Sequence, residues 1–75
     1  MKVSIERMSL YWENSYEIVL TLMERYPDLL VESVGLDQLY HLIIELPEFA
    51  DDPRLANEGI LRDILREWYE EESSE

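Results

Sequence analysis

Three prolines divide this chain, and each stands at the edge of an apolar run with helical spacing. In the first run, "WENSYEI" leads into Ile18, Val19, Leu22 and Tyr26, which fall on one helix face. Asn14 is placed to cap this helix, with Glu17 three residues on to close a capping box. Pro27 ends it, because the residue before a proline is pushed out of the helical region. The second run holds Leu39, Leu42, Ile43 and Leu46 at i, i+3, i+4 and i+7. Asp37 is its expected cap, and Pro47 its terminator. The third proline comes after Asp51 and Asp52, an arrangement of cap residue and first-turn proline. The main helix is then expected from Asn57 to Glu71, after a tight turn, with Ile60, Leu61, Ile64, Leu65 and Trp68 as its apolar stripe. Between the first two helices, "LLVESVGL" offers a few residues for a short strand. The reading is a mainly all-α domain of three helices.

Such a chain has little core to work with. At 75 residues it is one domain, and a domain of this size buries only about 60% of the surface its unfolded form exposes. The aromatics, Trp68 first among them, are expected in that core. Trp12 precedes the first helix and is either a core aromatic or an anchor for a partner. The chain has no cysteine, which removes disulfides, thiolate catalysis and Cys-ligated metals or clusters. No apolar stretch reaches the roughly 20 residues a membrane span needs. The opening "MKVSIERMSL" is too charged for a signal peptide, so a soluble intracellular protein is expected. Residues 1–9 read as an extension, either mobile or packed loosely through Val3, Ile5 and Met8, residues 10–72 as the domain, and 73–75 as a frayed acidic tail.

Charge is the strongest functional signal. Eighteen acids face six bases, for a formal net charge of −12. Nucleic acids and anionic membranes are repelled by such a chain; basic protein surfaces and cations are attracted. Solubility alone needs a net charge of only about 2 to 8. The excess is also clustered. Between Arg25 and Arg54 there is no Lys or Arg, while Asp28, Glu32, Asp37, Glu45, Glu48, Asp51 and Asp52 all fall there. The third helix, by contrast, mixes Arg62 and Arg66 with Glu58, Asp63 and Glu67, an ordinary solvated face.

Catalytic constellations are absent. His41 and Glu45 are spaced as an i, i+4 pair, read as a surface pair because no nucleophile or second base accompanies them. Ser15 is read as first-turn chemistry. Neither a phosphate loop nor an EF-hand pattern occurs, and there is no Glu-x-x-His pair for a di-iron site. Carboxylates alone suit loose binding of a hard divalent ion such as Mg²⁺, Mn²⁺ or Ca²⁺, and less selectively Fe²⁺. Asp52 is explained as a cap; Asp51 is not, which leaves open a role for the pair toward a cation or a basic partner.

Several short motifs in fixed order then carry a resemblance. "W-x-N-S-x-E-I" at Trp12–Ile18, "YPDL" at Tyr26–Leu29, Leu46 with Phe49 before "DDP" at Asp51–Pro53, "N-E-x-I-L-x-x-I-L" at Asn57–Leu65 and the final Trp68 make the chain similar to the IscX (YfhJ) family over Leu10–Glu72. The chain departs from the family pattern at Leu30 and Val31, at Gly35 to Asp37, at Leu42 and at Ala50. The resemblance implies a small domain of modified winged-helix or helix-turn-helix type without DNA binding. It further implies a non-enzymatic, cytoplasmic adaptor of iron–sulphur cluster assembly, which binds a cysteine desulfurase through acidic surface in competition with a frataxin-like protein and binds ferrous iron weakly. On that implication the metal-binding candidates are Asp28, Glu48, Asp51 and Asp52, and the partner-binding candidates are Trp12, Glu17, Glu24, Asp28, Glu48, Asp51 and Asp52. The alternatives are a divalent-cation-binding acidic protein without a desulfurase partner, a helix-turn-helix regulator, which the charge opposes, and a mimic occupying the nucleic-acid site of a basic protein.

Overall fold

A computed structural model describes residues 9–73. It contains α1 (Ser15–Arg25), α2 (Leu36–Ile44) and α3 (Glu58–Ser73), with single 3-10 turns at Val31–Ser33 and Pro53–Leu55. The three-helix, all-α domain expected from the apolar runs is what forms. Among the described residues there is no strand, only one isolated parallel bridge between Leu10 and Phe49. The expected contribution of "LLVESVGL" to a strand is corrected: its centre winds into the first 3-10 turn, with Ser33 N–H and Ser33 Oγ both donating to the Leu30 carbonyl, at 2.9 and 2.8 Å. The packing of residues 1–8 and the behaviour of 74–75 lie outside the described residues; of the tail expected to fray, Ser73 is instead the last residue of α3, its hydroxyl donating to the Tyr69 carbonyl at 2.9 Å.

The helix starts differ from the expected caps in an informative way. Asn14 does stand at the N-cap of α1, and its carbonyl accepts from Ile18 N–H at 2.9 Å. Its side chain, however, turns backward and accepts from Tyr11 N–H at 2.9 Å, while Asn14 N–H donates to the Tyr11 carbonyl at 2.8 Å. This reciprocal turn replaces the expected box with Glu17. Ser15 donates its hydroxyl to Glu67 Oε1 at 3.2 Å, a tie from α1 to α3 rather than first-turn chemistry. In α2 the N-cap position falls on Gly35, without a side-chain cap, and Asp37 sits in the first turn where its charge complements the helix dipole. Asn57 caps α3 as expected, accepting from Ile60 N–H at 2.8 Å.

The core follows the predicted stripes in their inner positions, while Tyr26, Leu42, Ile60 and Leu65 are only partly buried and Leu46 is buried beyond the end of α2. Ile18, Val19 and Leu22 of α1, Leu39 and Ile43 of α2, and Leu61, Ile64 and Trp68 of α3 are buried against one another. The α1–α3 contact is the most extensive in the domain. Losing Trp68, which is fully buried, removes about 3–5 kcal/mol of packing, a large share of what so small a core supplies. The chain entering α1 is fastened separately. Leu10 N–H donates to the Glu48 carbonyl and Ala50 N–H to the Leu10 carbonyl, each at 2.9 Å. That fastening lays Trp12 against Phe49, edge to face at 4.9 Å between ring centres, and parallel to Tyr40 at 6.3 Å.

Candidate functional site

The "ADDP" segment holds its acids in place with short, specific contacts. Asp51 accepts the Trp12 backbone N–H on Oδ2 at 3.0 Å and the Asp52 N–H on Oδ1 at 2.7 Å. Trp12 returns the contact: its indole N–H donates to the Asp52 carbonyl at 2.9 Å. Trp12 is 5% exposed, so the core reading holds for its ring. Asp51, which capping left unexplained, is therefore a clip between the chain before α1 and the turn before α3.

Asp52 caps the 3-10 turn Pro53–Leu55, accepting Arg54 N–H at 2.9 Å, with Pro53 in the first turn as expected. The Arg54 guanidinium folds back onto the same carboxylate, Nε at 3.2 Å and Nη2 at 3.1 Å. These side-chain bonds, then the backbone bond, hold the Asp52 carboxyl below the usual carboxylate range.

Glu48 is no surface carboxylate. Its side chain is 5% exposed and pairs through Oε2 with Arg25 Nη2 at 3.2 Å; Arg25 itself remains 42% exposed. Glu48 Oε1 is buried without a hydrogen-bond partner. Glu48, Asp51 and Asp52 thus have their charge answered by an arginine or by backbone N–H groups. Glu17 is half-buried, and its carbonyl accepts from Thr21 Oγ1 at 2.8 Å. Glu24 and Asp28 are exposed.

The arginines explain the distribution. Every arginine among the described residues is paired with an acid: Arg25 with Glu48, Arg54 with Asp52, Arg62 with Glu58 and Arg66 with Asp63. The two that bracket the base-free stretch both reach into it and take a carboxylate from it. His41 turns toward Asp37, with Nδ1 at 2.9 Å from the Asp37 carbonyl and 3.9 Å from its carboxylate, so the expected pairing with Glu45 is not made. Around the end of α1 and α2, the exposed carboxylates Glu24, Asp28, Glu32 and Glu45 make no ion pair or hydrogen bond among the described residues; Glu13, before α1, and Glu70 and Glu72, at the end of α3, are likewise exposed and unpaired but stand apart from them in the chain. The first four trace the end of α1, ride the first 3-10 turn and cap the end of α2. Glu32 and Glu45 were visible in the base-free stretch; only the removal of Glu48, Asp51 and Asp52 into local contacts brings them forward.

The four metal candidates do not gather into a ligand set. Among the described residues no group of three or more His, Cys, Asp or Glu side chains is placed to hold a metal ion. The described residues also contain no helix long and apolar enough to cross a membrane.

Comparison with known proteins adds the family. The model of the iron–sulphur cluster assembly family matches residues 10–73. This chain belongs to that family, the one called IscX or YfhJ. The uncharacterized protein PA3808 of Pseudomonas aeruginosa is similar to it, 39% identical over 64 residues that cover 85% of this chain and 97% of the relative. The family match starts at Leu10, the residue that bridges to Phe49, and takes in all three helices. Membership implies a role in iron–sulphur cluster assembly and contact with its machinery.

Proposed function

We propose that this protein is a non-enzymatic, cytoplasmic adaptor of iron–sulphur cluster assembly that docks on the basic surface of a cysteine desulfurase. Glu24, Asp28, Glu32 and Glu45 supply the docking charge. Glu48, Asp51 and Asp52 hold the shape of the domain behind it. The observation that supports this reading is the inequality of the carboxylates: the described arginines are all committed to acids, while these exposed acids are not. An unanswered negative field on a chain of net charge −12 speeds encounter with a positive surface and repels nucleic acid. A frataxin-like protein seeking the same basic surface would compete.

Ferrous iron, on this reading, is held loosely by exposed carboxylates, with an affinity that falls as salt screens them. Oxygen donors without His or Cys favour hard cations and discriminate poorly among them.

The test is titration calorimetry of the full chain against a purified cysteine desulfurase at low and high salt, with Fe²⁺ and Mg²⁺ titrations in parallel. The expected result is binding to the desulfurase that weakens steeply with salt, and weak heats from both metals. Metal binding without any desulfurase binding would replace the adaptor with a cation-binding protein.

A further inference from the structure

A cleft of about 530 Å³ opens between the end of α1 and the outer face of α2. Arg25, Tyr26, Asp28 and Leu29 wall one side, and Gln38 and Leu42 the other. Its floor is apolar: Tyr26, Leu29 and Leu42 are half-buried and packed on the core. Leu30, next in the chain, is 64% exposed, the most exposed of the large apolar side chains described. A cleft of this volume is in the range that takes a side chain or small ligand.

The charges around the cleft select its occupant. Arg25 is positive, but its Nη2 is bound to the buried Glu48 carboxylate at 3.2 Å. Its charge is therefore answered from inside the domain. Asp28 lines the cleft, is exposed and makes no pair among the described residues. Glu45, the C-cap of α2, lies outside the lining of the cleft. An apolar floor beside the single unanswered carboxylate of Asp28 suits a long aliphatic stem that ends in a cation.

We propose that this cleft receives an arginine or lysine side chain of a basic, amphipathic segment of the partner, its stem lying on Tyr26, Leu29 and Leu42 and its charged head at Asp28. The inference rests on the adaptor reading and deepens it. The acidic surface then supplies the encounter, and the cleft supplies the short-range fit that decides how long the complex lasts. Tyr26 adds a ring to the floor that favours a cation over a neutral group. Leu30 extends the apolar contact beyond the cleft.

Gln38→Trp tests this without touching charge. Gln38 is exposed, so the indole occupies the cleft rather than the core, and thermal unfolding checks that the variant folds. Amide chemical shifts of the full chain are monitored during titration with an acetylated, amidated helical peptide bearing arginines and leucines on one face. Its counterpart with glutamate in place of arginine is the control. Shifts concentrated at Tyr26–Leu29 and Gln38–Leu42, absent with the glutamate peptide and lost in Gln38→Trp, support the proposal. Shifts spread over α3, equal binding of the glutamate peptide, or an unaltered titration of Gln38→Trp overturn it. With the desulfurase itself, Gln38→Trp is expected to weaken affinity by about tenfold, as the loss of a central side-chain contact does, and to leave the salt slope unchanged. Unchanged affinity of Gln38→Trp beside weakened affinity of Asp28→Asn overturns the cleft and keeps the acidic surface. No binding of the wild-type chain to the desulfurase overturns the adaptor reading, and the peptide titration then decides the cleft alone.

Discussion

The segment before α3 and the surface from the end of α1 to the end of α2 are built from the same residue type and treat it in opposite ways. In the first, carboxylates are part of the architecture: Asp51 clips Trp12, Asp52 caps a turn, and Glu48 sits buried on Arg25. In the second, Glu24, Asp28, Glu32 and Glu45 stand in solvent without such contacts. An acidic composition by itself is therefore no map of an acidic interface. A carboxylate that answers an arginine has its field offset nearby, and one whose oxygens are taken by backbone N–H groups is fixed in place with fewer lone pairs to offer. Where a carboxylate does neither, its charge faces solvent.

The sharpest way to break this contrast is at the buried pair. Arg25→Met leaves Glu48 as an uncompensated buried charge and is expected to cost about 3 kcal/mol, the low end for such a break because the arginine side is open to water. Glu48→Met removes the buried charge, leaves a half-exposed arginine that water solvates, and is expected to cost less than about 1 kcal/mol. Urea unfolding midpoints of the two variants give the comparison directly, and equal losses would mean that Glu48 is not desolvated.

A smaller effect is expected at the clip. Asp51→Ala leaves two backbone N–H groups without their charged acceptor, and about 2 kcal/mol should be lost. Trp12 fluorescence should shift as its ring loosens from Phe49. A variant as stable as wild type would return Asp51 to the free acids.

Asp52 sharpens the contrast through pH. Its folded pKa lies below the unfolded value, so its contribution is present above the ordinary carboxylate range and is lost as pH falls through the depressed pKa. Asp52→Asn should therefore be less stable than wild type at neutral pH, and the gap should close on titration below about pH 4. Stability measured against pH checks the sign; a gap that widens in acid would contradict the Arg54 contact.

The smallest effect on stability, and the largest on recognition, belongs to the open surface. Asp28→Asn is expected to change unfolding free energy by less than about 0.5 kcal/mol, in the stabilising direction if it relieves repulsion among neighbouring acids. The same substitution should lower desulfurase affinity and flatten its salt dependence. A marked loss of stability without loss of binding would reverse the roles assigned to the two regions.

Local chemistry made some elements readable. Ile18, Val19 and Leu22, then Leu61, Ile64 and Trp68, repeat at helical spacing, and burial of one face is all that α1 and α3 require. Asn57 and Asp52 each cap the turn next to them in the chain, because a cap bond spans only two or three residues. The same logic failed at Asn14, whose side chain had an equally local choice on its other side, the Tyr11 N–H. It failed again in "LLVESVGL", where apolar content without strict alternation does not distinguish a short strand from a 3-10 turn.

By itself, then, the sequence determined three amphipathic helices, their approximate limits and a net charge of −12, because all of these depend on neighbours in the chain or on composition. Tertiary structure decided what became of Glu48 and Asp51, whereas Asp52 and Glu58 are answered by arginines two and four residues away. Arg25 meets Glu48 across 23 positions and Trp12 meets Asp51 across 39, and whether these two acids are answered depends on what folding brings beside them.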